Sequence, residues 1–210
     1  MLEPRKTPVQ ARSAATVDAI GEATVQVLLS HGTDRLTTTK VAERAGVSVG
    51  TLYQYFPNKQ SLLFAVLGDH LDRVSAATEA ACARTCHLPL AAMVQQVVEA
   101  FVDAKMQRPD ISTALYRIAA EIGGPPLVQR TGERSRKALA AMLRTAPDAT
   151  LQQEDFAIQM MFAAMAGATR SVLEAGVSPA TLGKLRNHLV LLCQSYMLAI
   201  ARPQPLRSLA

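Results

Sequence analysis

Hydroxyl groups crowd residues 37–56, TTTKVAERAGVSVGTLYQYF, at spacings that one side of two short helices can present together. Thr38, Thr39, Ser48, Thr51, Tyr53 and Tyr55 carry them. Hydroxyls of this kind bond phosphate oxygens, as do the free amides at a helix start. Lys59, opening the next block, can add an ammonium to the set. Gly50 has no side chain, so the edges of bases could approach the backbone there.

Local punctuation predicts the elements that would hold these groups. Thr37 or Thr38 can cap a short helix by accepting from its unbonded amides. Val41, Ala42 and Ala45 give that helix an apolar underside, and Gly46 suits a turn with positive φ. Val47 plugs the angle that follows, and Ser48 caps a second helix. Leu52 and Phe56 then point to the core, while Val49, Gly50, Thr51, Tyr53 and Gln54 are left outward. Two short helices joined by a glycine-containing turn form a helix-turn-helix. In that motif the second helix enters the major groove of duplex DNA and the first crosses the backbone.

Helical patterns fill the remaining chain. The first block, from about Val9 to His31, sets Ile20, Ala23, Val27 and Leu28 on one face and ends at Gly32. A long block runs from Lys59 to about Arg84, followed by patterns near 90–106, 110–121, 126–145, 151–175 and 180–201. With 49% apolar residues, 4% aromatic residues and no Trp, the 210-residue chain suits an all-α fold of about nine helices. No confident strand is predicted, and Arg202 to Ala210, with Pro203 and Pro205, is expected to fray.

The stretch Ile20 to Leu67 contains G32, L36-T37-T38, V41-A42, A45-G46-V47-S48, G50-T51-L52-Y53, Y55-F56, K59 and L62-L63. In residues and spacing it resembles the head of the TetR family of transcriptional regulators. The resemblance implies a DNA-binding domain over 1–57 and a helical ligand-binding and dimerisation domain over 58–210. It implies phosphate contacts from Thr38, Thr39, Ser48, Thr51, Tyr53, Tyr55 and Lys59, with Val49, Gly50 and Gln54 nearest the bases. Val49 can touch a thymine methyl but reads no donor or acceptor. Gln54, and Lys40 or Arg44, remain as hydrogen-bonding readers, a choice the residues leave open.

The same resemblance implies a homodimer through the last two long helices, and residue types there agree. Ala163, Ala164 and Gly167 accompany Phe156 and Met160 in one block; Leu182, Leu185, Leu189, Leu192 and Tyr196 mark the other. Such a dimer reads a palindromic operator of double-stranded DNA. Also implied is a repressor whose small lipophilic or aromatic effector enters the body, displaces the helix after Lys59 and releases the operator. Phe101, Met106, Tyr116, Phe156 and Met160 are the candidate ligand-lining side chains, in a chain with eight Met.

Other chemistries find little support in the sequence. There is no glycine-rich phosphate loop, nucleophile elbow or paired-histidine zinc motif, so no enzyme is expected. Cys82, Cys86 and His87 fall short of a four-ligand metal site, and no metal or cofactor is expected. Met1 to Arg12 is polar and has neither a secretory signal nor a membrane span, which points to a cytoplasmic, nucleoid-associated protein with no membrane partner. A net charge of +5 gives a mild bias toward polyanions.

Overall fold

The computed structural model describes residues 11–204, so Met1 to Gln10 and the last six residues lie outside it, with most of the polar N-terminal segment. The described residues form nine α-helices and one short β-ribbon. They pack as two compact units: the described part of Met1–Leu71 with Asp110–Val128, and Asp72–Pro109 with the described part of Gln129–Ala210.

The first unit is built on α1 (Ala11–Arg35), α2 (Thr38–Ala45), α3 (Val49–Tyr55), the start of α4 (Lys59–Thr85) and α6 (Pro109–Ile118). On α1 the expected stripe faces inward, with Ile20, Ala23, Val27 and Leu28 all buried. Gly32, at φ 74°, breaks the helix before a last turn that ends at Arg35. Asn58 and Ser61 cap α4 reciprocally: Ser61 N–H donates to Asn58 Oδ1 at 2.8 Å, and Asn58 N–H to Ser61 Oγ at 3.3 Å. Leu62, Leu63, Val66 and Leu67 then bury their face among Leu36, Val41, Leu52, Phe56, Ile111 and Leu115.

The second unit joins the end of α4 to α5 (Leu90–Met106), most of α7 (Pro125–Leu143), α8 (Glu154–Ala175) and α9 (Pro179–Ile200). Its core sets Val94, Val97, Val98, Phe101 and Val102 of α5 against Leu139, Met142, Met161, Met165, Leu189, Cys193 and Met197. Flexible thioethers fill irregular gaps between helices, which suits a core with so few aromatic rings. Among the described residues α8 is the one helix long and apolar enough to cross a membrane, with a third of that window buried in the fold.

Two differences from the sequence reading have local causes. Ala149–Leu151 (β1) pairs antiparallel with Ala201–Pro203 (β2), so the chain just after α9 is held rather than frayed. Three-residue strands carry no alternation a sequence pattern can register, and this pair is closed by its surroundings. Gln204 N–H donates to Asp148 O at 2.9 Å, and Leu90 N–H donates to the Asp148 carboxylate at 2.9 Å. On α9 the side chains that mark the block in sequence differ in burial, with Leu182 and Tyr196 half-buried. Leu185 and Leu189 are buried in the core, while Leu191, Leu192 and Leu198 are exposed.

Gly124 marks the tightest backbone approach in the first unit. A Cβ there would lie 2.6 Å from Ala119 O and 2.7 Å from Leu67 Cδ2. The carbonyl cannot yield cheaply, because it already accepts the Gly124 N–H at 2.7 Å. Gly124→Ala is therefore expected to cost about 2 kcal/mol of stability by overpacking, read from a shift of the denaturant midpoint at unchanged m-value.

Candidate nucleic-acid interface

The exposed face of α3 is shaped by what holds the helix from behind. Gly46 adopts the left-handed conformation (φ 68°, ψ 29°), and its N–H reaches the carbonyls of Ala42 and Glu43. Val47 N–H returns to Ala42 O at 3.0 Å. Ser48 then caps α3, its hydroxyl accepting from Thr51 N–H at 3.0 Å, while Thr37 caps α2 by accepting from Lys40 N–H at 3.3 Å. Leu52 (0% exposed) and Phe56 (2%) anchor the helix in the core.

What remains outward matches the sequence reading in most positions. Gly50, Tyr53 and Gln54 are exposed; Thr51 and Lys59 are half-buried. Val49 and Tyr55 are half-buried and pack partly on the core, so they present only edges. Thr38, Thr39 and Lys40 lie in the first turn of α2 and Arg44 in its last.

The polar groups are organised in pairs. Thr38 Oγ1 lies 3.1 Å from Tyr53 Oη, linking the start of α2 to α3, and Ser48 Oγ lies 2.8 Å from Thr51 Oγ1. Lys59 Nζ donates to Thr33 O and Lys40 Nζ to Arg35 O, both at 3.1 Å. The two ammonium groups thus sit on carbonyls of the short turn that follows the break at Gly32. Arg44 Nε donates to Gln26 Oε1 of α1 at 2.5 Å. Sequence reasoning missed Gln26 because it lies 18 residues from Arg44, and the carbonyls of Thr33 and Arg35 because a backbone acceptor carries no residue-type signal.

Comparison with known proteins places this arrangement in a family. Residues 14–66 match the domain described as "Bacterial regulatory proteins, tetR family", and residues 89–197 match the "Tetracyclin repressor-like, C-terminal domain". The chain belongs to the TetR family. It is 43% identical over 60 residues to the HTH-type transcriptional repressor KstR of Mycolicibacterium smegmatis, and 41% identical over 58 residues to KstR of Mycobacterium tuberculosis. Those stretches span 29% and 28% of this chain, and 29% and 26% of the relatives' own length.

Similarity of fold extends much further. A TetR-family transcriptional regulator from Mesorhizobium loti superposes with a TM-score of 0.75 at 19% identity, covering 91% of this chain and 99% of that one. The fatty acid degradation regulator FadR from Bacillus halodurans gives 0.65 at 18% identity, over 90% and 96% of the two chains. TetR-family proteins are regulators of transcription rather than enzymes, and membership implies a DNA-binding head and a ligand-sensing C-terminal domain.

The five candidate ligand-lining residues occupy dissimilar places. Phe101 is buried in the second unit's core, its ring 6.0 Å from Phe162 in an edge arrangement, and Met106 is half-buried at the end of α5. Tyr116 is half-buried on α6 in the first unit. Phe156 and Met160 stand exposed on α8. Lys105, not singled out by the sequence, is buried, and burial pushes its ammonium down to about 8. Its register was legible: it continues the α5 stripe of Val94, Val98 and Phe101 one turn further.

Burial also governs the thiols. It pushes Cys82 up to about 12 and Cys193 up to about 11. Among the described residues no group of three or more His, Cys, Asp or Glu side chains is placed to hold a metal ion. At pH 8 the thiolate population of Cys82 is lowered by roughly a thousandfold relative to an ordinary thiol. In the folded protein iodoacetamide is thus expected to modify half-buried Cys86 first, with Cys82 and Cys193 reacting only on unfolding, as followed by intact-mass spectrometry.

Gly50 gives a second expectation. It lies in the first turn of α3, and a Cβ there would meet only Ser48 Oγ, at 3.7 Å. The fold has no need of a glycine at this position. Gly50→Ala should raise the stability of the protein by about 0.5–1 kcal/mol, as helix propensity alone dictates, measurable by thermal unfolding.

Proposed function

We propose that this TetR-family protein is a repressor that binds a palindromic operator as a homodimer and lets go when a small lipophilic or aromatic ligand enters its body. The observation that carries the reading is the open amino end of α3. Ser48 caps it, Gly50 is exposed without steric need, and the hydroxyls of Ser48, Thr51, Tyr53 and Thr38 are paired beside it. Residues 1–57 read DNA in this proposal, and 58–210 dimerise and bind ligand. The repressor sense is supported by the KstR relatives, similar over 60 and 58 residues. A protein that acts so works on the nucleoid in the cytoplasm.

In the bound state, Thr38, Thr39, Ser48, Thr51, Tyr53, Tyr55 and Lys59 face phosphates, while Val49, Gly50 and Gln54 lie over the bases. The Thr38–Tyr53 pair suits this role, since two hydroxyls 3.1 Å apart can flank one phosphate with little reorganisation. Lys59, now on Thr33 O, can exchange that carbonyl for a phosphate oxygen through one rotamer change.

The dimer would form through α8 and α9. Of the exposed large apolar side chains, Phe156, Met160, Leu191, Leu192 and Leu198 all lie on these two helices. Gly167 and Gly183 accompany them, with nothing within 4 Å of an added Cβ. Glycines that no intrachain contact requires allow close helix packing by a second copy. Phe156 and Met160 support this contact better than a ligand role, whereas Phe101, Met106 and Tyr116 stay the candidates for a cavity. A ligand releases DNA only by its preference for the DNA-incompetent state, with a coupling of about 1–3 kcal/mol in typical cases.

Selection of duplexes from a random pool, followed by footprinting, tests the central claim. A discrete inverted repeat is expected, whereas broad coverage or no binding at low salt would remove it. In the same assay Gly50→Ala, though folded, should lose at least tenfold in affinity, because the added methyl occupies the space that bases must enter. Light scattering should give twice the monomer mass, and Leu191→Asp with Leu192→Asp should halve it.

A further inference from the structure

We infer that Lys40 and Arg44, the two cations of α2, position the recognition helix by clasping α2 onto α1, and that base reading by hydrogen bonds falls to Gln54. The inference rests on the proposed entry of α3 into the major groove and decides which polar side chains are free to read there.

The cations are already engaged, and engaged away from α3. Arg44 Nε donates to Gln26 Oε1, and Gln26 Nε2 donates onward to Glu22 Oε1 at 3.3 Å. The chain Glu22–Gln26–Arg44 therefore ties the last turn of α2 to two successive turns of α1. Lys40, one turn earlier on the same side of α2, fixes the first turn through Arg35 O. Both side chains line a groove of about 660 Å³ between α1 and α2, with Gln26, Ser30 and His31 on its α1 wall.

The short helix has need of such ties. α2 has eight residues and buries only Val41 and Ala42. A helix of that length is far from stable alone, and two modest side chains leave its angle poorly fixed. Because α3 follows within a three-residue turn, any rocking of α2 on α1 moves the reading face. Polar bonds at both ends of α2 limit that rocking, which makes Gln26 a positioning residue as well.

On α3 itself most polar side chains are spoken for. Ser48 and Thr51 bond each other, and Tyr53 bonds Thr38. Tyr55 is half-buried against the core. Gln54 is exposed and, among the described residues, its amide has no partner. A glutamine amide matches the N6 and N7 edge of adenine in a bidentate way, so the structure assigns an adenine in each half-site to Gln54.

The test uses the full chain and the operator selected by the unaltered protein. Gln26→Glu, Gln26→Leu, Arg44→Gln, the double variant Gln26→Leu with Arg44→Gln, Lys40→Ala and Gln54→Ala are titrated over a range of salt, and the random-pool selection is repeated with each. Gln26→Glu should bind more tightly than Gln26→Leu and keep the parent's base preference, since a carboxylate still accepts from Arg44 although it no longer donates to Glu22. Gln26→Leu and Arg44→Gln should each weaken every duplex by a common factor, and the double variant by no more than the larger single loss. Gln54→Ala should lose the preference for adenine at one position of each half-site.

A log–log salt slope flattened in Arg44→Gln, by about 0.9 per head, would make Arg44 a phosphate ligand and overturn the inference. A changed base preference in Arg44→Gln or Lys40→Ala would overturn it too, as would an unchanged one in Gln54→Ala. If the parent chain selects no sequence, the proposed function itself fails, an outcome distinct from all of these.

Discussion

Seven residues are too few for a helix to hold itself together in water, and the architecture of the head follows from that constraint. α3 is helical only because its surroundings impose the form. Ser48 supplies an acceptor at its start, Leu52 and Phe56 sink its rear face into the core, and the Gly46 turn fixes where it begins. A helix held so firmly from behind leaves its front free of any structural duty. That freedom lets the front carry Gly50, the least helix-favouring residue after proline, at an exposed position.

The parts of this design that are local in sequence were legible there. Caps, the positive-φ glycine and apolar spacing act over three or four residues, and Thr37, Gly46, Ser48, Leu52 and Phe56 fall where those patterns place them. The partners of Lys59 and Arg44 were not legible, because Thr33 O and Gln26 lie 26 and 18 residues away and no pattern links them. On α9 the direction of individual side chains was hidden for another reason. Its last three turns are apolar on several sides at once, so helical periodicity could not tell Leu189, which enters the core, from Leu192, which does not. Lys105 is the converse case, a charged residue whose register already assigned it to the buried stripe of α5.

The same double-sidedness accounts for α8. One side gives Met161, Met165 and Leu173 to the core, while the other shows Phe156, Met160, Ala163 and Gly167 outward. A helix with two apolar sides reads as a membrane span by composition, although one of its sides is filled by its own fold. Its outward side shrinks from Phe156 to Gly167 along the helix, and a tapering row of that kind favours helices crossing at an angle, close at the small end. The proposed second copy would cover both the exposed Phe156 ring and the unneeded Gly167.

The proposed two-fold pairing bears on specificity as well as on affinity. One good bidentate contact discriminates between bases by about 1–3 kcal/mol. A regulator typically needs about 4–10 kcal/mol over its own non-specific binding. The proposed reading face of Gly50, the edge of Val49 and one amide on Gln54 falls short of that range for a single head. Duplicating the face on a symmetry axis doubles the direct contribution and adds a spacing requirement that costs wrong sequences the whole second half-site. The chemical poverty of α3 thus fits a protein whose discrimination resides in the distance between two heads. In such a design a change in the body that alters that distance can remove binding without touching any residue at the interface.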